Sequence, residues 1–347
     1  MRRLRSTSTD ERGATAVIVA LLMVALLGFA AISIDVGKLY WERAQLQNAA
    51  DAGALALAGI CGKNESAVDC SNTSGIPLGL ATANSHDAQS LVTGITVDKP
   101  ANTALVKTSA SETGATANSV SLWFAQALGF REAQVGAQAA ASWGPPGSLA
   151  AKFPLAFSDC EIDSSPVMDG QLQFLQSHGS GNVKPDPCHL TGSGQEAPGG
   201  FGWLVQEPSE SCTVDTVIGG WEASDTGNNF KSGCEARLKT WQDTLKAGGE
   251  VIALFPVMSK YKGSGNNTEY YVSAYVAFDV KGWHFKNNDA LLDYLPGTTS
   301  GVIAAGGFKN SDLGFVGKFV RYVFNDEEVT PGTGTSPYGA NIVTMTK

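Results

Sequence analysis

Between Ala14 and Ile34 the chain runs for 21 residues without a charged side chain, ATAVIVALLMVALLGFAAISI. About 20 apolar residues in a helix match the ~30 Å hydrocarbon layer of a bilayer. Arg2, Arg3, Arg5 and Arg12 stand before the run, whereas Asp35, Lys38, Glu42 and Arg43 behind it nearly cancel. That bias predicts a cytoplasmic tail over 1–13 and a transmembrane helix over 14–34. Everything after Asp35 is then extracytoplasmic, in a periplasm or at a cell surface. A cleaved signal peptide is the competing reading, with Gly28-Phe29-Ala30 as the small-residue site. The length of the run, and a helical pattern that continues past it, predict a retained single-pass anchor.

The continuation, DVGKLYWERAQLQNAADAGALALAG over 35–59, has no proline and many good helix formers. It predicts an extracytoplasmic stalk helix. Leu39, Leu46, Gly53 and Leu57 share one face. Ala50, Ala54 and Ala58 form a small-xxx-small ridge that lets a neighbour approach closely. The partner of that face is either the chain's own body or another subunit, and the spacing leaves both open.

Six cysteines follow the apolar run and none precedes it: Cys61, Cys70, Cys160, Cys188, Cys212 and Cys234. An even count on one side of a membrane segment fits an oxidising compartment. Short closures predict pairing of sequence neighbours, Cys61–Cys70, Cys160–Cys188 and Cys212–Cys234. The net charge is −9 although the first residues are arginine-rich, so the body is strongly acidic and unsuited to nucleic acid.

The fold class predicted is α+β. Residues 60–147 read as a small, pilin-like α/β unit. It opens on a loop over 60–77 and has strands at 91–97 and 103–110. A helix is expected on Val120, Trp123, Phe124, Ala127 and Leu128 with Gly129 as its stop, then a third strand at 133–143. Trp143-Gly144-Pro145-Pro146-Gly147-Ser148 marks the boundary. Residues 148–347 read as a mainly antiparallel β domain, with a hairpin of 251–258 and 271–280. Its one clear helix, Glu235–Ala247, carries Leu238, Trp241 and Leu245 inward.

Candidate chemistry is sparse. Cys188-His189 are adjacent, which seldom lets a thiol and its base converge on one substrate atom. His178, Cys188 and His189 lack zinc spacing. Asp159, Glu161 and Asp163 form a D-x-E-x-D run, but Ser164 and Gly170 occupy positions that a calcium loop gives to Gly and Glu. No catalytic, cofactor or metal residue is assigned.

The segment around Arg12–Gly59, ERGATAVIVALL followed by AAISIDVGKLYWERAQLQNAADAGALALAG, closely resembles the N-terminal region of TadE/TadG-like Flp (Tad) pilus-assembly proteins. Weaker similarities run through SLWFAQALGFREAQVGAQAAAS (121–142), GGFGWL (199–204), VIALFPVM…YYVSAYVAFDVKGWHF (251–285) and GKFVRY (317–322). The resemblance implies a single-pass structural or assembly component of a pilus system, not an enzyme. Its expected partners are other pilus subunits or further copies of itself, through the N-terminal helix. Gly13-Ala14 resembles the processing site of Flp pilins, where a peptidase cuts after Gly and Glu stands five residues on. Ile18 holds that place here. The expectation is therefore an uncut anchor. The alternatives are a processed minor pilin-like subunit, or an anchored module binding glycan or calcium.

Overall fold

In the computed structural model the structure describes residues 10–159, 162, 170–176, 202–225, 230–286, 289–305, 312–324, 329, 332 and 336–346. Helix α1 (Asp10–Lys63) is unbroken for 54 residues, about 80 Å at 1.5 Å per residue. Its two halves differ completely. The large apolar side chains from Val17 to Ile34 are 47–71% exposed, so among the described residues the body does not cover them. From Asp35 onward the helix lies against the body.

A second helix, α2 (Ile76–Asn84), leads to a hairpin of β1 (Ser90–Asp98) and β2 (Thr103–Ala110). A short ladder of β3 (Ser119–Ser121) and β4 (Glu132–Gln134) precedes β5 (Gly136–Gly144). The chain then forms β6 (Ser148–Ala151), β7 (Phe157–Ser158), β8 (Gln173–Gln176), β9 (Val214–Val217) and β10 (Trp221–Ala223). Helix α3 (Glu235–Lys246) leads into the long strands β11 (Ile252–Lys262) and β12 (Glu269–His284). The remainder is β13 (Asp293–Tyr294), α4 (Thr299–Ala305), β14 (Gly314–Phe319), β15 (Tyr322–Phe324) and β16 (Ala340–Thr346).

The first sheet has the order β1-β2-β5-β16-β15, with only β15–β16 parallel. Its last two strands come from far along the sequence: Ile342 pairs Gly144 and Thr346 pairs Ala140. Residues 340–346 thus complete the sheet of the N-terminal unit, across the boundary placed at 147. The second sheet has the order β7-β11-β12-β14-β8, and β10 and β13 also pair β12.

β12 is buried on both faces. Ala274, Val276, Phe278 and Val280 enter an aromatic core with Phe153, Trp203, Phe255, Phe285 and Phe315. Val272, Tyr275 and Ala277 pack on the opposite side with Leu149, Leu204 and Met258. Ring centroids 5.0 Å apart join Phe315 edge-on to both Phe153 and Phe285, a favoured aromatic geometry.

The α+β class, the hairpin strands of the first sheet, the β11–β12 hairpin and helix α3 match expectation. Two local expectations fail. The loop over 60–77 is shortened from both ends, because α1 runs on to Lys63 and α2 starts at Ile76. Gly79 and Thr82 hide α2 from propensity, whereas Pro77 sits where a first helical turn tolerates proline. The helix expected at 120–128 is absent: Val120 lies in β3, and only Ala125–Leu128 form a 3₁₀ turn. Gly129 does end that turn in the left-handed conformation, at φ 92°.

Candidate functional site

The face of α1 just past its apolar half carries a connected set of charged and backbone contacts. Asp35 is the first charged residue after the run, and it is only 4% exposed. A buried carboxylate needs donors. Three backbone N–H groups supply them, from Trp123 at 2.8 Å, Phe124 at 3.0 Å and Ala125 at 2.6 Å. These amides open the 3₁₀ turn, which is why the segment does not wind into the expected helix. Burial pushes the Asp35 carboxyl up, but the three amides and Lys38 outweigh it and hold it below its ordinary value.

One turn on, Lys38 ties a second segment down. Its Nζ lies 3.2 Å from Glu112 Oε2 and donates to the Ser121 carbonyl at 3.0 Å. It also lies 5.2 Å from the centre of the Trp123 ring, within cation–π range. Glu112 accepts from Ser121 N at 2.7 Å and Ser121 Oγ at 2.8 Å. Burial raises its carboxyl, and the Ser121 bonds and Lys38 reverse that and lower it. Asp35, Lys38 and Glu112 thus clamp the segment 112–125 onto α1.

Further along, the small-residue face meets the chain's own body. Leu46, Ala50, Ala54, Leu57 and Ala58 are at most 1% exposed. Ala50, Ala54, Leu57 and Ala58 share a core with Ala104, Val106, Ala139, Ala141 and Trp143 of the first sheet. Leu39 packs at the edge of a smaller cluster with Leu46, Val120 and Val135. At Gly53 a Cβ would come 3.2 Å from Pro77 Cβ and 3.3 Å from Val106 Cγ1, so glycine lets α2 and β2 approach together. Thr108 Oγ1 donates to the Leu46 carbonyl at 2.9 Å, and Asn341 Nδ2 to the Gly62 carbonyl at 2.7 Å. Of the two partners left open for this face, the structure places the chain's own sheet and α2 on it.

The end of α1 is stapled. Cys61 and Cys70 form a disulfide with Cα atoms 5.0 Å apart, and Cys212–Cys234 form another at 4.8 Å. Cys160, Cys188, Glu161, Asp163, His178 and His189 lie outside the described residues. Gly13 lies on α1 in its exposed part. Among the described residues, no group of three or more His, Cys, Asp or Glu could hold a metal. His284 is buried with Nδ1 2.9 Å from Asp293 Oδ1, an internal pair between β12 and β13. An open groove of about 560 Å³ beside α1 is lined by Arg43, Gln47, Lys107, Asn118, Gln134 and Gln138. Its polar amides and cations carry no nucleophile–base pair.

Sequence reasoning missed the roles of Asp35 and Lys38, which it treated only as charges flanking the apolar run. The available signal was position: an acid at the first residue past such a run, on the face that continues through Leu39 and Leu46, has to find donors.

Among the described residues one helix is long and apolar enough to cross a membrane. Residues 13–59 match the family model described as Flp pilus-assembly TadE/G-like. The match covers the apolar run, Asp35, Lys38 and the small-residue face. No curated protein and no solved structure matches the chain.

Proposed function

We propose, taking the match over residues 13–59 as premise, that this chain is a single-pass envelope protein serving as a structural or assembly component of a Tad/Flp-type pilus system. The family is a structural and assembly one, and the reading involves no catalytic step. The observation that carries it is the division of α1: a bare apolar half over 14–34 and a half from Asp35 onward committed to an extracytoplasmic body. Arg2, Arg3, Arg5 and Arg12 hold the short side in the cytoplasm. The disulfides Cys61–Cys70 and Cys212–Cys234 agree with an oxidising outer side. The buried face of α1 is engaged within the chain, so contacts to other subunits fall to the exposed apolar half and to the outer surface of the body.

The anchor stays uncut. In pilin-like filaments a carboxylate five residues after the cut neutralises the new amino terminus of a neighbour, and an unpaired charge in hydrocarbon costs several kcal/mol. Ile18 cannot serve, and Ala14–Ile34 holds no acid. Expression with and without the cognate prepilin peptidase, followed by N-terminal sequencing, gives the same unprocessed start in both cases. A mature form beginning at Ala14 only with the peptidase present promotes the minor-pilin alternative. In intact cells, Ser209→Cys is labelled by an impermeant maleimide and Ser8→Cys is protected; the reverse pattern overturns the topology.

A further inference from the structure

We propose that the loop 122–130 is a second membrane contact, an aromatic foot that rests the body on the lipid interface beside the exit of α1. The inference rests on the reading of 14–34 as a membrane-spanning segment.

Four large apolar side chains stand in water on this loop: Trp123 is 63% exposed, Phe124 45%, Leu128 69% and Phe130 66%. Such a cluster on a short segment marks a surface that something covers. The loop's place in the molecule identifies the cover. Its backbone is hydrogen-bonded to the Asp35 carboxylate at Trp123, Phe124 and Ala125. Asp35 directly follows the 21-residue uncharged run. A run of that length fills the ~30 Å hydrocarbon layer, so a bilayer that holds 14–34 has its surface at Asp35 and therefore at this loop. A protein partner reaching these side chains would have to wedge between the body and the lipid.

The loop is also chemically prepared for that layer. Backbone groups entering a low-dielectric region have to be satisfied internally. Leu122 N donates to the Arg131 carbonyl, Ala127 N to Phe124, Gly129 N to Gln126 and Phe130 N to Ala125, at 2.8–3.1 Å. Gln126 turns its side-chain amide back onto the Leu122 carbonyl at 2.6 Å. No carboxylate stands in 122–130, and Arg131 follows it, with Glu132 turned onto Thr116. On α1 itself Tyr40 and Trp41 are 73% and 64% exposed, less than two turns beyond Asp35. Tryptophan and tyrosine at the ends of a spanning segment, with cations at the headgroup level, are the composition of a membrane–water interface.

The test uses the full chain in nanodiscs of a phosphatidylethanolamine–phosphatidylglycerol mixture, with p-benzoylphenylalanine placed singly at three positions. Leu26, inside the apolar run, reports whether the helix spans. Val68, 91% exposed beyond the far end of α1 and about 40 Å along the helix from Asp35, reports background. Leu128 reports the foot. Lipid adducts on illumination at Leu26 and Leu128, with none at Val68, support the proposal. Adducts at Leu26 with none at Leu128 overturn it and leave the spanning helix standing. Absence at Leu26 overturns the spanning reading and the foot with it. Adducts from Leu128 to a second copy or another protein, in place of lipid, also overturn it. A Phe124→Ser, Phe130→Ser variant changes two exposed side chains and leaves the Lys38–Trp123 contact in place; it keeps its melting temperature and loses the Leu128 adduct, while the Leu26 adduct is unchanged.

Discussion

Asp35 and Glu112 sit in the folded chain below their ordinary carboxyl range, the first through three amides and the second through Ser121 and Lys38. The sign of their effect on stability follows. A depressed folded value means that the contribution is complete above the unfolded value, near pH 4, and is lost as pH falls through the folded one. Glu42 works in the other direction, because burial and then Asp87 raise its carboxyl. The expected outcome is a melting temperature that drops between about pH 5 and 3 in the parent chain, and drops less in an Asp35→Asn, Glu112→Gln variant. Glu112→Gln alone costs about 0.5–1.5 kcal/mol at neutral pH, limited by the partial exposure of its pair with Lys38. Thermal unfolding in detergent at several pH values checks this, and parallel curves would show that the two carboxylates carry no stability. At this scale little was legible beforehand. The sequence places Asp35 at the end of the apolar run, but its partners are 88 to 90 positions away, and no local pattern announces a carboxylate bound by distant backbone amides.

Elements with strong periodicity were readable: α1, α3 and the strands of both hairpins lie where their apolar spacing puts them. The failure at 120–128 is instructive because the spacing there was also helical. Trp123, Phe124 and Leu128 do share a character, but what they share is exposure, and an apolar stripe carries the same signature whether it faces a core or a membrane. The glycines of α1 provide a sharper test of its packing. At Gly59 nothing lies within 4 Å of an added Cβ, whereas at Gly53 Pro77 and Val106 are already close. Gly59→Ala is expected to stabilise by about 0.5–1 kcal/mol, the ordinary gain in a helix interior. Gly53→Ala gains nothing, since the contacts offset that term, and Gly53→Leu loses about 1–3 kcal/mol to overpacking. Denaturant melts of the three variants decide it. Equal stabilisation by both alanines would mean that the helix face stands free of α2 and β2.

The molecule as a whole is held together by an arrangement that sequence reading did not reveal: strands pairing across about two hundred residues. At the expected boundary, Trp143–Ser148, β5 ends at Gly144 and β6 begins at Ser148. Yet β16 returns to β5, and Asn341 reaches the last turn of α1. Removing residues 340–346 should therefore damage the far end of the chain from the deletion. Amide exchange in β5 is expected to accelerate towards the unprotected rate, while β11 and β12 keep their protection; unchanged protection in β5 would show that β16 does not hold it. The same closure sets a timetable. Ser142 and Thr344, facing neighbours in the finished sheet, are 202 positions apart, an interval of about 10–40 s at usual synthesis rates. Through that interval α1 and β5 are already made, with one strand edge open. On the reading of α1 as an anchor, copies made side by side would meet while that edge is still vacant, and a neighbour's residues 340–346 carry the same pairing pattern as the chain's own.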